Sequence, residues 1–235
     1  MSRLRALLVG LGQIGCGYDA DLPFQWDQPG SSPRILSHAR ALACHPGFEL
    51  LGGVDPSAAA RNRFAGLYGL PTHRSLAAWC AASTGPDPDL VVIAVAPQLQ
   101  PALVEQLLAL MAPRLLLLEK PVAASLEQAR ALERACASQP GLVVAVNYIR
   151  RFLPAVIAWQ QRLQAGDLGD LLHGQITYGK GLLSNGSHFV NLAEAWLGPL
   201  KPGRLLDPGP SCFGFDREAS LELCVAAPGD APLLV

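Results

Sequence analysis

Hydrophobic and polar residues form alternating blocks along the first 147 residues of the chain. Short apolar runs, rich in leucine and valine, are separated by longer segments with the spacing of amphipathic helices. Continuously apolar runs of this length are typical of parallel strands that are covered on both faces. The pattern therefore predicts strands at 4–10, 48–55, 90–96, 115–119 and 142–147.

Helical segments lie between these strands. They are predicted at 35–44, 58–68, 76–82, 101–111 and 126–138. Strands that alternate with helices in this way indicate a doubly wound α/β domain with a parallel sheet, of the Rossmann type. We expect this domain to span residues 1–147.

The pattern changes in the remainder of the chain, where residues 148–235 are expected to form a second, smaller α+β domain. Its elements are predicted as helices at 152–165 and 189–197, strands at 171–178 and 219–226, and a loop rich in proline and glycine at 199–216. The pair Gly198-Pro199 is a stop signal for the second helix.

Composition and charge exclude several classes of protein. Half of the residues are hydrophobic, 16% are charged and the formal net charge is −1. No apolar run approaches the ~18 residues of a membrane span, and no basic surface for nucleic acid is indicated. The first residues lack the layout of a signal peptide. We therefore expect a cytoplasmic protein without membrane or nucleic-acid partners.

The six cysteines do not form a metal-binding pattern. No two of them have CxxC spacing, and none adjoins a histidine. We interpret them as reduced, mostly buried thiols and predict no metal site.

A glycine-rich segment, Gly10-Leu11-Gly12-Gln13-Ile14-Gly15, directly follows the first predicted strand. Gly10 permits a tight turn, Gly12 lets the backbone approach a pyrophosphate, and Gly15 allows close packing of helix against strand. The phosphates would bind free amides at the helix N-terminus. Such a loop alone is weak evidence, but its position after the first strand of an alternating domain predicts a dinucleotide site.

Asp55 ends the second predicted strand, where a carboxylate can accept hydrogen bonds from the adenosine ribose and would repel a 2′-phosphate. This favours NAD over NADP. Asp55 lies beyond the usual ~20 residues from the glycines, because residues 16–33 read as an inserted loop. Two alternatives remain: Asp55 is only a turn residue before Pro56, or Arg61 and Arg63 accommodate NADP.

Glu119-Lys120-Pro121 follows a predicted strand at the edge where such sheets bind ligands. Only three of the 18 basic residues are lysines, namely 120, 180 and 201. A desolvated lysine can transfer a proton near neutral pH, whereas an arginine cannot. Lys120 is therefore a candidate for proton transfer or charge stabilisation; the alternative is a solvated lysine in a turn.

Two later segments also carry polar side chains. Residues 147–152, Asn-Tyr-Ile-Arg-Arg-Phe, follow the last strand of the first domain; alone they could be a junction with surface arginines. In residues 184–191, His188 begins a predicted helix and Asn191 lies one turn later on the same face. His188 could act as an acid or base, or the segment could only cap the helix. The other histidines, 38, 45, 73 and 173, are interpreted as surface or core residues.

Together these motifs resemble the Gfo/Idh/MocA oxidoreductase family. The matching segments are GLGQIG at 10–15, VVIAVAP at 91–97, EKP at 119–121, NYIRRF at 147–152, GDLG at 166–169 and NGSH at 185–188. They occur in the order of the family and cover nearly the whole chain. The tripeptide GYD at 17–19 and SHARA at 37–41 resemble a subgroup from surface-polysaccharide sugar pathways.

The resemblance implies a nicotinamide-dependent oxidoreductase that acts on a hydroxyl or keto carbon of a sugar, nucleotide sugar or cyclitol. It adds Ala96, Pro97, Glu119 and Lys120 to the expected NAD-binding residues. Lys120 would bind and polarise the reacting hydroxyl, and His188 would act as the acid or base or share that role with Lys120. The expected substrate-binding residues are Asn147, Tyr148, Arg151, Ser184, Asn185 and Asn191.

The chain departs from the family pattern at two points. Many members carry an aspartate four residues before the histidine, where this chain has Ser184. The second domain, expected to hold an open, mostly antiparallel sheet that assembles a homodimer or homotetramer, is short. Two other functions therefore stay open: a non-catalytic dinucleotide-binding sensor or partner subunit, and an enzyme with bound NAD whose net reaction is not a redox reaction.

Overall fold

The computed structural model describes residues 3–23, 34–170 and 172–225, together with the backbone of 232–234. The chain divides into two compact units. Unit 1 comprises Met1–Val146 and unit 2 comprises Asn147–Val235.

Unit 1 contains a six-stranded parallel sheet with the strand order β3-β2-β1-β4-β5-β6. The strands are β1 (Leu4–Val9), β2 (Phe48–Val54), β3 (Thr72–His73), β4 (Leu90–Ile93), β5 (Leu115–Leu118) and β6 (Val143–Val146). The order reverses between β1 and β4, as in dinucleotide-binding folds, and ligands of such sheets bind at the carboxyl ends of the strands beside this reversal.

Five helices connect these strands: α1 (His38–Cys44), α2 (Ala58–Tyr68), α3 (Leu76–Ala82), α4 (Gln100–Leu110) and α5 (Leu126–Ala137). Four of them begin after a serine whose hydroxyl accepts a first-turn amide, namely Ser37, Ser57, Ser75 and Ser125. This capping satisfies donors that a helix leaves without an intrahelical partner.

The core of unit 1 lies on both faces of the sheet. Leu7, Val91 and Ile93 belong to the cluster on one face, and Leu8 and Val92 belong to the cluster on the other. All five are 0% exposed. The continuously apolar sequence of β1 and β4 is thus explained by burial on both sides. The predicted doubly wound α/β class is confirmed.

Two details of unit 1 differ from the sequence interpretation. The short strand β3 was not predicted, because two residues carry no periodicity. Valines of β6 are exposed although their sequence is apolar, since β6 is the last strand of the sheet. Of the predicted inserted loop at 16–33, residues 24–33 lie outside the described part of the chain.

Unit 2 combines helices with a four-stranded sheet of order β7-β12-β11-β8 and a two-stranded sheet of β9 and β10. Its elements are α6 (Pro154–Gln164), β7 (Gly174–Gln175), α7 (Ser187–Leu197), β8 (Leu200–Asp207), β9 (Ser211–Cys212), β10 (Asp216–Arg217), β11 (Ser220–Val225) and β12 (Pro232–Leu234). All its strand pairs are antiparallel except β12 with β7.

Two element predictions for unit 2 are wrong. The strand expected at 171–178 is reduced to Gly174–Gln175. The loop expected at 199–216 contains β8, which pairs with β11 despite Pro202 and Gly203. An edge strand tolerates proline, and the register shifts in this pairing accommodate the irregular residues.

Candidate active site

The glycine loop joins β1 to a helical turn at Gln13–Gly17. Gly10 has a φ of +93°, and a Cβ there would lie 2.4 Å from the carbonyl oxygen of Ala94. A Cβ on Gly15 would lie 2.0 Å from the carbonyl oxygen of Gly10. Both positions therefore require glycine, one for its backbone conformation and both for close packing.

Gly12 has a different role. A Cβ built on it would meet no atom within 4 Å, so this glycine borders open space. Gln13 and Ile14 are exposed beside it, and the first bond of the helical turn is donated by Cys16 to the Gly12 carbonyl. The amides of residues 13–15 precede that bond, which is the position that binds anions at a helix start. The loop fits a pyrophosphate.

Asp55 lies directly beside this loop. Its Oδ2 accepts a hydrogen bond from the Leu11 amide at 2.8 Å, and its Oδ1 accepts one from the Ser57 amide at 2.7 Å. The bond to Ser57 is that of a turn residue, and the bond to Leu11 places the carboxylate beside the glycine loop. Each carboxylate oxygen has further acceptor capacity for a ribose hydroxyl.

Arg61 and Arg63, the arginines considered for a 2′-phosphate, both bind main-chain carbonyls. Arg61 donates to the carbonyl oxygens of Asp55 (2.7 Å) and Pro56 (2.8 Å), and Arg63 donates to that of Leu11 (2.5 Å). Both guanidinium groups thus stabilise the backbone of Asp55 and of the loop, and the carboxylate next to the loop fits the ribose of NAD.

The carboxyl end of β5 carries Glu119, Lys120 and Pro121. Gln100, fully buried at the start of α4, donates to the carbonyl oxygens of Glu119 and Pro121, each at 2.9 Å. The backbone on both sides of Lys120 is thereby fixed. Ala96 and Pro97 follow β4, the neighbouring strand, at the same edge of the sheet.

Glu119 has a partner that the sequence did not indicate. Its Oε1 lies 2.7 Å from Nε2 of His38, and both side chains are about 10% exposed. The Glu119 Oε2 accepts the amide of Lys120 at 3.2 Å. His38 was interpreted as a surface or core residue because nothing in its local sequence points to a carboxylate 81 residues away.

In unit 2, His188 is the second residue of α7 and is 8% exposed. The Tyr148 ring contacts its imidazole edge to face, with ring centroids 5.7 Å apart. Burial raises the pKa of the Tyr148 hydroxyl, which stays protonated at neutral pH. The structure thus brings together two of the predicted substrate and catalytic residues.

The arginine that joins this cluster is Arg150. Its guanidinium donates to Oδ1 of Asn185 at 3.3 Å and lies 4.7 Å from the centre of the Phe189 ring. Arg151, the predicted substrate residue, is exposed. Asn185 also donates to the carbonyl oxygen of Gly179 at 2.9 Å. Neighbouring arginines in one sequence motif cannot be told apart before the backbone is known.

Asp216 of β10 approaches Ser184 from another part of unit 2. Its carboxylate, 4% exposed, accepts the amides of Leu183 (3.0 Å) and Ser184 (2.7 Å). Burial alone would raise the pKa of Asp216, but these amides, the Ser184 hydroxyl and the Arg217 amide outweigh burial and lower it. A carboxylate therefore lies beside the serine that stands where many family members have aspartate.

The remaining predicted residues are placed as follows. Asn147 is half-buried directly after β6, and the side-chain oxygen of Asn191 on α7 is buried without a hydrogen-bond partner among the described residues.

All six cysteines are free thiols, with Cys16 and Cys136 buried and the other four half-buried. Across the described residues, no cluster of side chains could hold a metal ion, and no helix could span a membrane.

Comparison with known proteins agrees with this geometry. Residues 4–148 match the model of the Gfo/Idh/MocA oxidoreductase family, described by its NAD-binding Rossmann fold. The match covers more than half of the chain, and the chain belongs to this family of NAD-binding oxidoreductases. No curated protein sequence matches it.

Solved structures with the same fold include several dehydrogenases. The WlbA dehydrogenase from Bordetella pertussis, in complex with NADH and UDP-GlcNAcA, is 17% identical with a TM-score of 0.76 and covers 100% of this chain and 66% of its own. A myo-inositol 2-dehydrogenase from Lactobacillus plantarum is 14% identical with a TM-score of 0.73, covering 99% of this chain and 69% of its own. The chain thus spans about two thirds of the length of these structures.

Proposed function

We propose that this protein is an NAD-dependent dehydrogenase that oxidises a hydroxyl of a sugar, with nucleotide sugars as the first substrate class and cyclitols as the second. The observation that carries the proposal is the pairing of two features of unit 1. An open glycine loop is bonded to Asp55 at one side of the sheet, and Lys120 stands on a fixed backbone at the end of β5.

Different residues of unit 1 would bind different parts of NAD. Amides of the glycine loop would hold the pyrophosphate, and Asp55 would accept the adenosine ribose hydroxyls. Bound NAD would supply the hydride acceptor. The opposite half of the dinucleotide would then lie toward β4 and β5, beside Ala96, Pro97 and Glu119.

Lys120 is the group that we assign to the reacting hydroxyl. Its ammonium would bind the hydroxyl oxygen and stabilise the negative charge that grows as the proton leaves. His188 is proposed as the acid or base, with Asn147, Tyr148, Arg151, Ser184, Asn185 and Asn191 as substrate residues. The choice of nucleotide sugars is supported by the WlbA dehydrogenase, whose crystals contain NADH and UDP-GlcNAcA. The choice of cyclitols is supported by the similar inositol dehydrogenase.

The test combines binding with turnover. Calorimetry should show tighter binding of NADH than of NADPH, and Asp55→Asn should reduce this preference while leaving an acceptor for the loop amide. Absorbance of NADH should then report turnover with NAD on a panel of nucleotide sugars, hexoses and inositols. Lys120→Met should lower turnover by about 10²–10⁴-fold with nearly unchanged NADH affinity. Lys201→Met, exposed on β8, is the matched control.

Normal turnover by Lys120→Met would remove Lys120 from the mechanism. Tight NADH binding without turnover would instead favour the sensor or partner subunit, and turnover without net NAD consumption would favour the non-redox enzyme. The expected homodimer or homotetramer is a separate proposal, which sedimentation equilibrium tests; a monomer at micromolar concentration would contradict it.

A further inference from the structure

The proposed function leaves two sequence motifs without a role, GYD at 17–19 and SHARA at 37–41. The structure brings them into contact. Asp19, 1% exposed, accepts the amides of Leu36 (2.7 Å) and Ser37 (2.8 Å) on Oδ2 and the Ser37 hydroxyl (2.6 Å) on Oδ1. One buried carboxylate thus fixes the backbone immediately before α1.

Arg40 fixes the backbone on the other side. Its side chain is 2% exposed, and its Nε lies 3.6 Å from the Asp19 carboxylate. Its guanidinium donates to the carbonyl oxygens of Asp19 (2.5 Å), Leu22 (2.7 Å) and Pro23 (3.3 Å). We call Asp19, Ser37 and Arg40 the clasp. His38 lies between Ser37 and Arg40 in the sequence, and its imidazole contacts Glu119.

The contact between Nε2 of His38 and Oε1 of Glu119 measures 2.7 Å. An ionised Glu119 carboxylate only accepts hydrogen bonds, and the contact then requires the His38 tautomer that carries its proton on Nε2. A carboxylate as buried as that of Glu119 needs such donors, because burial without them is costly. The second Glu119 oxygen takes the Lys120 amide at 3.2 Å. A continuous chain of bonds therefore runs from His38 through Glu119 to the backbone of Lys120.

We propose that His38, presented by the clasp, is a positioning residue of the dehydrogenase site: it holds the Glu119 carboxylate and thereby sets the position of Lys120. This inference rests on the proposed function. If the imidazole is lost, the Glu119 carboxylate loses a donor and turns toward other partners, and the bond to the Lys120 amide is disturbed. The effect should be larger on the chemical step than on NADH affinity, because Glu119 is only one of the expected NAD-binding residues and the glycine loop and Asp55 are separate from this chain of bonds.

The variants are chosen so that the donor is removed or kept. His38→Ala removes it, and His38→Gln places an amide N–H near the position of Nε2–H. His45→Ala and His45→Gln on the exposed end of the same helix are the matched controls. We expect His38→Ala to lower kcat by about 10- to 100-fold, the effect of one lost hydrogen bond to a charged group, with KM and NADH affinity changed less than threefold. His38→Gln should restore most of the loss.

Two results in this series would overturn the inference. One is unchanged kcat in His38→Ala. The other is an equal loss of kcat in the alanine and glutamine variants together with a lower melting temperature than the His45 variants, which would make His38 merely structural.

A second readout needs no substrate. In protein labelled with ¹³C-histidine, the His38 imidazole signal, assigned from His38→Gln, should move in Glu119→Gln and on addition of NADH, while the His45 signal stays in place. If the wild type binds NADH without turnover, the proposed function fails while these shifts still support the placement of His38. A His38 signal that neither Glu119→Gln nor NADH moves overturns the inference, whatever the turnover.

Discussion

Unit 1 and unit 2 differ in the interactions that stabilise each of them internally. In unit 1, two extensive clusters of buried side chains cover both faces of the parallel sheet. In unit 2, the buried cluster of the described residues consists of Ala193 and Leu223 with partly buried neighbours. Large apolar side chains such as Phe152, Leu172 and Phe213 are exposed there.

Polar side chains compensate for part of this difference in unit 2. Asp216 accepts amides of the segment before α7, Tyr178 donates its hydroxyl to the Ala219 carbonyl, and Asn185 donates to the Gly179 carbonyl. The stabilisation from burial grows with the apolar area that is buried, whereas each hydrogen bond contributes about 1 kcal/mol. We infer that the stability of unit 1 is most sensitive to changes in packing. The stability of unit 2 should depend more on single polar side chains.

The largest effect is expected from added volume at a glycine. In unit 1, Gly15→Ala places a Cβ against the backbone oxygen of Gly10, which cannot move aside, and should cost about 4 kcal/mol or more. In unit 2, Gly186→Ala meets only side-chain atoms of Leu182 and Tyr178, at 3.0–3.2 Å, and should cost about 1 kcal/mol.

Urea unfolding followed by circular dichroism measures both changes. Gly66→Ala on α2 is the control, because its Cβ meets nothing within 4 Å and alanine favours a helix. Equal losses of unfolding free energy in Gly15→Ala and Gly186→Ala would contradict our inference that the surroundings of Gly15 are rigid and those of Gly186 can adapt.

Removing volume should give the next largest difference. Phe64 is 0% exposed in unit 1, and Phe64→Ala should lower the free energy of unfolding by about 3–5 kcal/mol. Leu223→Ala in unit 2 should cost about 2 kcal/mol, because its partly exposed neighbours can close the cavity. Hydrogen exchange would assign each loss to its unit. A larger loss at Leu223 than at Phe64 would mean that unit 2 has the tighter core.

The smallest effect concerns pH. Asp216 has a lowered pKa, so its contribution is present above its ordinary value of 3.8 and is lost as the pH falls through the lower, folded value. Asp216→Asn should cost about 1–2 kcal/mol at pH 7 and flatten the decline of stability below about pH 3.8.

Melting temperatures between pH 2 and 7 would test this, with Asp170→Asn on the exposed surface as control. A decline of the same steepness in wild type and Asp216→Asn would assign the acid sensitivity to another group.

Local sequence predicted what depends on local periodicity. The apolar runs of β1, β4 and β5 defined the parallel sheet, and their order along the chain placed the glycine loop and Lys120 at its ligand edge. The prediction of a loop at 199–216 was wrong because the structure there depends on a distant strand and not on the local sequence. The strand β8 exists because β11 offers it backbone partners, and its own prolines and glycines argue against it.

Contacts between distant residues could not be predicted from spacing. Asp55 reaches an amide 44 residues away, and His38 reaches a carboxylate 81 residues away. The sequence placed Asp55 and the glycine loop in one dinucleotide site, because a known type of site combines a glycine loop with an acidic strand end, but it did not predict the bond between them. No general rule links the start of α1 to the end of β5, and the same holds for Asp216 beside Ser184.

The clasp has a consequence for how this chain can vary. Asp19 and Arg40 are both nearly excluded from water, so the loss of either one alone would strand an opposite charge in the interior, at a typical cost of about 3–5 kcal/mol. The two motifs should therefore be inherited, or transplanted into a related scaffold, as one module. A graft of SHARA without its aspartate turn would destabilise the recipient. Replacement of both charges by an apolar pair would not restore stability, because the amides of Leu36 and Ser37 and the Leu22 carbonyl would lose their side-chain partners.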